Sequence, residues 1–245
     1  MVDSFGILIL AAFIAGVVRG YAGFGFAAIA IIGFNLVLAP QQSIPIVLGL
    51  DVICSLSLLS QALRQADFHT FKILIVGALL GIPIGLGLLV LIPGEVMKLL
   101  ICTIILAFSI LLFANVTVKN TNNYIVKSAF GVSSGIGTAA ASVGGPMIVC
   151  YMLSSRLSPS QQRATMILFF VVSETLALGA IASSGLLELS MLKTLLVVLL
   201  PTLIAVRIGQ WFFNKKPPKS LKHFALPIML LVALLGLSAS LKAIF

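Results

Sequence analysis

Long apolar runs, parted by short polar hinges, set the layout of this chain. The first run, Phe5 to Ala39, is interrupted by glycines from Gly20 to Gly25. Its limbs of about 15 residues rise roughly 22 Å at 1.5 Å per residue, short of a hydrocarbon core of ~30 Å. They read as the arms of a re-entrant hairpin or as two short spans. Pro40-Gln41-Gln42 closes the run, and spans follow at Ser43–Leu63, Phe71–Ile92 and Val96–Ala114.

After the polar linker Asn115–Asn123 the order repeats. Tyr124 to Leu153 is apolar and broken between Gly135 and Gly145. Ser158-Pro159-Ser160-Gln161-Gln162 stands where Pro40-Gln41-Gln42 stood, and spans follow at Ala164–Ser183, Leu189–Phe213 and Leu221–Ile244. The pattern predicts an all-α polytopic membrane protein forming one membrane domain over residues 1–245. It contains two repeats, about 5–114 and about 124–243, with a spacing that drifts through insertions. Each repeat has a broken or re-entrant glycine-rich helix pair plus three spanning helices. That is an odd number of crossings, so the repeats are expected to be inverted.

Composition supports this reading. The 245 residues are 60% hydrophobic and 9% charged, with a mean hydropathy of +1.24, whereas a soluble domain is nearer 25% charged. The net charge of +9 does not indicate nucleic acid, because the basic residues sit in hinges and set orientation. Arg64, Lys72, Lys119, Lys127, Arg156, Arg163, Lys215, Lys216, Lys219 and Lys222 fall on one side, and only Lys98, Lys193 and Lys242 on the other. The first side is expected to be cytoplasmic, with both termini outside. Cys54, Cys102 and Cys150 lie in apolar segments without metal-like spacing and read as small buried hydrophobes.

Charges inside apolar runs are costly and point to function. Arg19 lies at the first break with no obvious counter-ion beside it, and suits an oxyanion; the structural alternative is an ion pair with Asp51 or Glu174. Those carboxylates are candidates for proton or cation coupling, or are fixed core charges. Arg207 reads as snorkelling to the cytoplasmic interface, and Glu95 and Lys98 as anchors at an outer end. Gly81 and Gly85 fit close helix packing. The two breaks hold too many glycines for packing alone. Pro146 suits the first turn of a helix restarting after Gly144-Gly145, and such a start aims free N–H groups at an anion. The candidate binding residues are Arg19, Gly20, Tyr21, Gly23, Gly25, Gly135, Gly137, Thr138, Ser142, Gly144 and Gly145. No enzyme signature, nucleotide loop or metal cluster is present, and no cofactor is expected.

A glycine-rich break near the start of each of two repeats resembles the sulfite exporter TauE/SafE family. The resemblance rests on Gly16, Gly20, Gly23 and Gly25, and on Gly131, Gly135, Gly137, Gly144, Gly145 and Pro146. It covers the whole chain in segment order. It implies a secondary transporter of a small sulfur-containing anion, sulfite or an organosulfonate such as sulfoacetate, in the bacterial inner membrane. A passive anion channel and an accessory membrane subunit without transport activity are the alternatives. The expected partners are the anion and the lipid bilayer, with a homodimer left open.

Overall fold

The computed structural model describes residues 2–114, 118, 120–215, 227, 230, 234 and 238, all with side chains except at 2–4 and 111–113. The described elements are helices. In order they are α1 (Val2–Ala22), α2 (Phe26–Asn35), α3 (Pro40–Leu56), α4 (Leu59–Gln65), α5 (Phe68–Leu91), α6 (Gly94–Phe113), α7 (Tyr124–Ala141), α8 (Gly145–Ser154), α9 (Pro159–Ser183) and α10 (Leu189–Lys215). The expected span Leu221–Ile244 lies outside the described residues except at 227, 230, 234 and 238, and Lys119, Lys216, Lys219, Lys222 and Lys242 lie outside them too.

Among the described residues, α1 over Phe5–Ala22, α5, α9 and α10 are long and apolar enough to cross a bilayer. The expected single span Ser43–Leu63 is instead two helices, α3 and α4, bent by 65°. Ser57 donates its hydroxyl back to the Cys54 carbonyl at 2.6 Å, a bond that competes with the helical ladder.

Both expected breaks are narrower than their glycine clusters. α1 runs through Gly20 to Ala22 and α7 through Gly135 and Gly137 to Ala141. Only Gly23–Gly25 and Ser142–Gly144 are unwound. The limbs are therefore unequal. α1 has 21 residues and α2 only 10, and α7 has 18 against 10 in α8. A ten-residue helix rises about 15 Å, half the hydrocarbon core, so neither α2 nor α8 is long enough to cross by itself.

The spacing between halves is constant just after the two breaks and drifts elsewhere: from Phe68 to Leu189, where α5 and α10 begin, is 121 positions. From Phe26 to Gly145, where α2 and α8 begin, is 119 positions, and from Pro40 to Pro159, where α3 and α9 begin, is again 119.

Small residues decide which helices touch. α1 packs along α10, and α5 along α7. A Cβ on Gly20 would lie 2.1 Å from the Val206 carbonyl oxygen, and one on Gly209 2.2 Å from that of Val17. On the other seam, a Cβ on Gly81 would lie 2.2 Å from the Val132 oxygen, and one on Gly135 2.4 Å from that of Ala78. Backbones approach this closely only without side chains, which is how helices associate where lipid removes the hydrophobic drive. Gly81 and Gly85 were expected to pack and do. Gly20 and Gly135 were expected at the binding site and instead serve these seams. Outward faces of α5 and α10 carry exposed Val76, Leu80, Leu91, Leu196, Leu200 and Ile204, as a lipid-facing surface should.

Candidate functional site

The two breaks share one backbone device. Gly23 follows α1 with φ +79° and Ser142 follows α7 with φ +56°. These positions are also 119 apart. The left-handed residue turns the chain, and N–H groups within the turn bond the last carbonyls of the helix. The Gly23 N–H donates to Arg19 O at 2.8 Å. Ser142 N–H donates to Thr138 O at 3.0 Å and Val143 N–H to Gly137 O at 2.9 Å. Gly137 is therefore part of the turn and does not line the site. Gly144 is required by space, since a Cβ there would lie 1.9 Å from Thr138 Oγ1. The Ser134 hydroxyl holds this corner by donating to the Gly144 carbonyl at 2.9 Å.

Both breaks open on one enclosed chamber. Its walls are Arg19, Phe24, Gly25, Ala27 and Ala28 from the first break, Thr138, Ser142, Gly144, Gly145 and Pro146 from the second, and Asp51, Phe170 and Glu174 from α3 and α9. The space for the centre of a water molecule is about 10 Å³, room for about one water. The chamber is thus closed around anything as large as a four-atom oxyanion. The first turns of α2 and α8 both border it. Neither helix is capped by its own N-cap side chain or has an acid in its first turn, so their positive dipole ends border the chamber without a local counter-charge.

Arg19 is 1% exposed and has a counter-ion. Its Nε lies 3.0 Å from Asp51 Oδ1, though off the line of a hydrogen bond, since Nε has no hydrogen-bond partner. Nη1 donates to Gly23 O at 2.9 Å, and Nη2 donates to the Ser55 hydroxyl. Ser55 donates in turn to Asp51 Oδ1 at 3.3 Å. The guanidinium carbon sits 4.9 Å from the Phe170 ring centre. Asp51 also meets the backbone N–H of Ala27 in the first turn of α2, and the Glu174 carboxyl lies against it. The structural reading of Arg19 and its anion-binding reading thus meet at the same atoms. Guanidinium carries five N–H donors, so it keeps capacity for a ligand.

Two polar atoms of the chamber lack a protein partner. Glu174 Oε2 and Ser142 Oγ are buried without a hydrogen bond, in residues 3% and 2% exposed. Such atoms in a native fold call for an explanation, commonly a ligand or water.

Arg163, which sequence reasoning placed among the loop charges, supports the first break. It is 3% exposed, because α9 starts at Pro159 and carries Arg163 into its first turns. Its Nη2 donates to Gly20 O at 2.7 Å and its Nε to Tyr21 O at 3.3 Å. It thereby caps the last carbonyls of α1, where positive charge is favoured. The stacked Phe213 ring centre is 4.1 Å away. Gly20, Tyr21 and Gly23 contribute to this support rather than to the chamber. Lys127 is also buried, 4% exposed, and leaves the loop tally too. Glu95 and Lys98 pair at 3.1 Å on the exposed start of α6, and Arg207 is exposed beside Gln210.

The family model for the sulfite exporter TauE/SafE matches residues 8–235. The chain belongs to the TauE/SafE family. This TauE/SafE member is therefore a multi-pass membrane protein of a transporter family that handles sulfite-type anions. Comparison with curated proteins and with solved structures gives no match.

Proposed function

We propose that this TauE/SafE protein is a secondary transporter that moves sulfite or an organosulfonate such as sulfoacetate across the bacterial inner membrane. The anionic head binds in the chamber between the α2 and α8 starts, beside Arg19. The single observation that carries this reading is the convergence of two helix N-termini, neither capped by its own N-cap side chain, and a buried guanidinium on one enclosed space. Each is an anion-binding element by itself. Thr138 and Ser142 supply hydroxyls, and Gly25, Gly144 and Gly145 let backbone approach the ligand.

Alternating access is supported by the internal architecture. We read residues about 5–114 and about 124–243 as inverted repeats related by an axis in the membrane plane. The shared 119-residue spacing of the α2/α8 and α3/α9 starts, the paired left-handed turns at Gly23 and Ser142, and the reciprocal seams α1–α10 and α5–α7 favour this reading. Transporters with this plan place substrate between discontinuous helices at the repeat interface. The closed chamber favours a gated carrier over an open anion channel. Basic residues outside the chamber, Arg64, Lys72 and Arg156 against Lys98 and Lys193, support a cytoplasmic face at the α4–α5 and α8–α9 turns.

Coupling follows from charge count. One guanidinium faces the Asp51 and Glu174 carboxyls, and an added anion would leave the buried site net negative if both were ionised. We assign Glu174 as the group that takes up a proton with the substrate. Sulfite flux into proteoliposomes should saturate, respond to an imposed pH gradient, and fall to background in Arg19→Ala. Undiminished flux in folded Arg19→Ala would overturn the assignment of the site.

A further inference from the structure

We propose that Asp51 is a built-in competitor for the transported anion: its carboxylate occupies the oxyanion position between Arg19 and the α2 N-terminus, and substrate binds by displacing it. The inference rests on the anion-carrier reading above and specifies how its site is kept closed.

Three observations carry it. The partners of Asp51 are those an oxyanion would choose: the Arg19 guanidinium at 3.0 Å and the N–H of Ala27 in the first turn of α2. That turn has no acid of its own, and Gly25 in front of it has no side chain to cap it. Asp51 reaches it from another helix, α3.

The pair is also poorly fastened. The strongest arginine–carboxylate pairs, frequent among buried ones, make two parallel N–H···O bonds. Here Nε is misaligned with Asp51 Oδ1. Ser55 stands between them, accepting from Arg19 Nη2 and donating to Asp51 at 3.3 Å. Ser55 can keep its bond to Arg19 when Asp51 leaves.

Finally, the chamber holds polar atoms that this arrangement leaves unused, although the Glu174 carboxyl itself lies against Asp51. Glu174 Oε2 and Ser142 Oγ, 3% and 2% exposed by residue, have no protein partner. A carboxylate tethered to α3 leaves these two atoms of the polar site unpaired. An oxyanion carrying a proton can engage the whole set, accepting from Arg19 and α2 and meeting Glu174 and Ser142 with its remaining atoms.

A site that its own side chain fills most of the time shows an affinity reduced by the fraction of time it is free. Removing the competitor therefore tightens binding, the reverse of what a substrate ligand or a structural charge would do. The test uses the full chain in detergent, with sulfite affinity by calorimetry at one pH. Asp51→Asn should bind sulfite about tenfold tighter or more, as expected if the latch is shut about nine-tenths of the time. Asp51→Ala removes the carboxylate outright, and free formate should take its place, raising the unfolding temperature of this variant while leaving the parent unchanged. Formate in the purification buffer also rescues a variant that does not fold without it. Ser55→Ala, which loosens the latch without removing its charge, should tighten sulfite binding severalfold.

If Asp51→Asn binds sulfite no better than the parent, and Asp51→Ala with formate present throughout gains nothing from it, Asp51 is not a competitor. Should the parent still bind sulfite and Arg19→Ala not, the carrier site stands and only the competitor falls. If neither the parent nor any Asp51 variant binds sulfite or formate, both readings fall together.

Discussion

Replacing Ser142 by glycine should make the protein more stable and a poorer binder at once. Ser142 holds φ +56° and ψ +25° after α7, a conformation that costs an L-residue roughly 1–2 kcal/mol and glycine almost nothing. Its hydroxyl is buried without a partner, and leaving such a group unpaired costs about 1–3 kcal/mol. Against these gains stands the extra freedom of glycine in the unfolded chain, about 0.5–1 kcal/mol. The helix-end bonds at this corner are made by backbone N–H groups and survive the change. The net expectation is at least about 1 kcal/mol of added stability. If the hydroxyl bonds the substrate, its loss costs about 1.5–3 kcal/mol of binding, tenfold or more in affinity. Both numbers come from one purified variant, by denaturant unfolding in micelles and by sulfite calorimetry. A variant that is more stable and binds as before would place the hydroxyl outside the ligand shell. A less stable variant would refute the strain argument itself.

Gly81→Ala forces a methyl to within 2.2 Å of the Val132 oxygen, whereas Gly87 has nothing within 4 Å of its would-be Cβ. The first should lower stability by about 1–3 kcal/mol and Gly87→Ala should raise it by up to about 1 kcal/mol; equal unfolding midpoints would show that the α5–α7 seam is not close-packed. Arg163→Ala should cost about 1.5–3 kcal/mol through loss of the α1 cap, with Arg163→Lys recovering part of it, and its sulfite affinity should fall because the first break loosens; an unchanged affinity would detach Arg163 from positioning the site. Glu174→Gln should retain sulfite binding but lose the response of flux to a pH gradient, and a preserved response in the variant would move coupling elsewhere.

Much of the fold was legible because glycine, proline and run length punctuate the chain so plainly. The two interruptions and the spans that became α5, α9 and α10 follow from those signals; the limbs, expected at about 15 residues each, are instead 21 and 10 residues at the first break and 18 and 10 at the second. The breaks nevertheless came out too wide, for a physical reason. A glycine that unwinds a helix and a glycine that lets two helices touch look the same at i, i+4 spacing. Gly20 and Gly135 are of the second kind, and only the carbonyls of Val206 and Ala78 across the seam distinguish them. The bend between α3 and α4 carries neither glycine nor proline at Leu56–Leu58, so nothing local announced it. Arg163 was misread because Ser158–Gln162 looks like a loop while Pro159 in fact opens a helix. The pairing of Arg19 with Asp51 joins residues on separate helices, and no spacing rule reaches that far; it entered only as the structural alternative for each charge.

The seams also bear on how the protein is made. α1 leaves the ribosome first among the helices and finds its close partner, α10, only about 190 residues later, a wait of ~10–40 s at the usual 5–20 residues per second. α5 likewise waits for α7. Throughout that interval the glycine faces of α1 and α5 stand open to lipid and to any other small-residue helix nearby. The first half, inserted by itself, has neither of its tight interfaces, so the tertiary fold is a late event in biosynthesis. Release of a truncated chain before α10 therefore yields a membrane-inserted but unassembled product, the form that membrane quality control recognises.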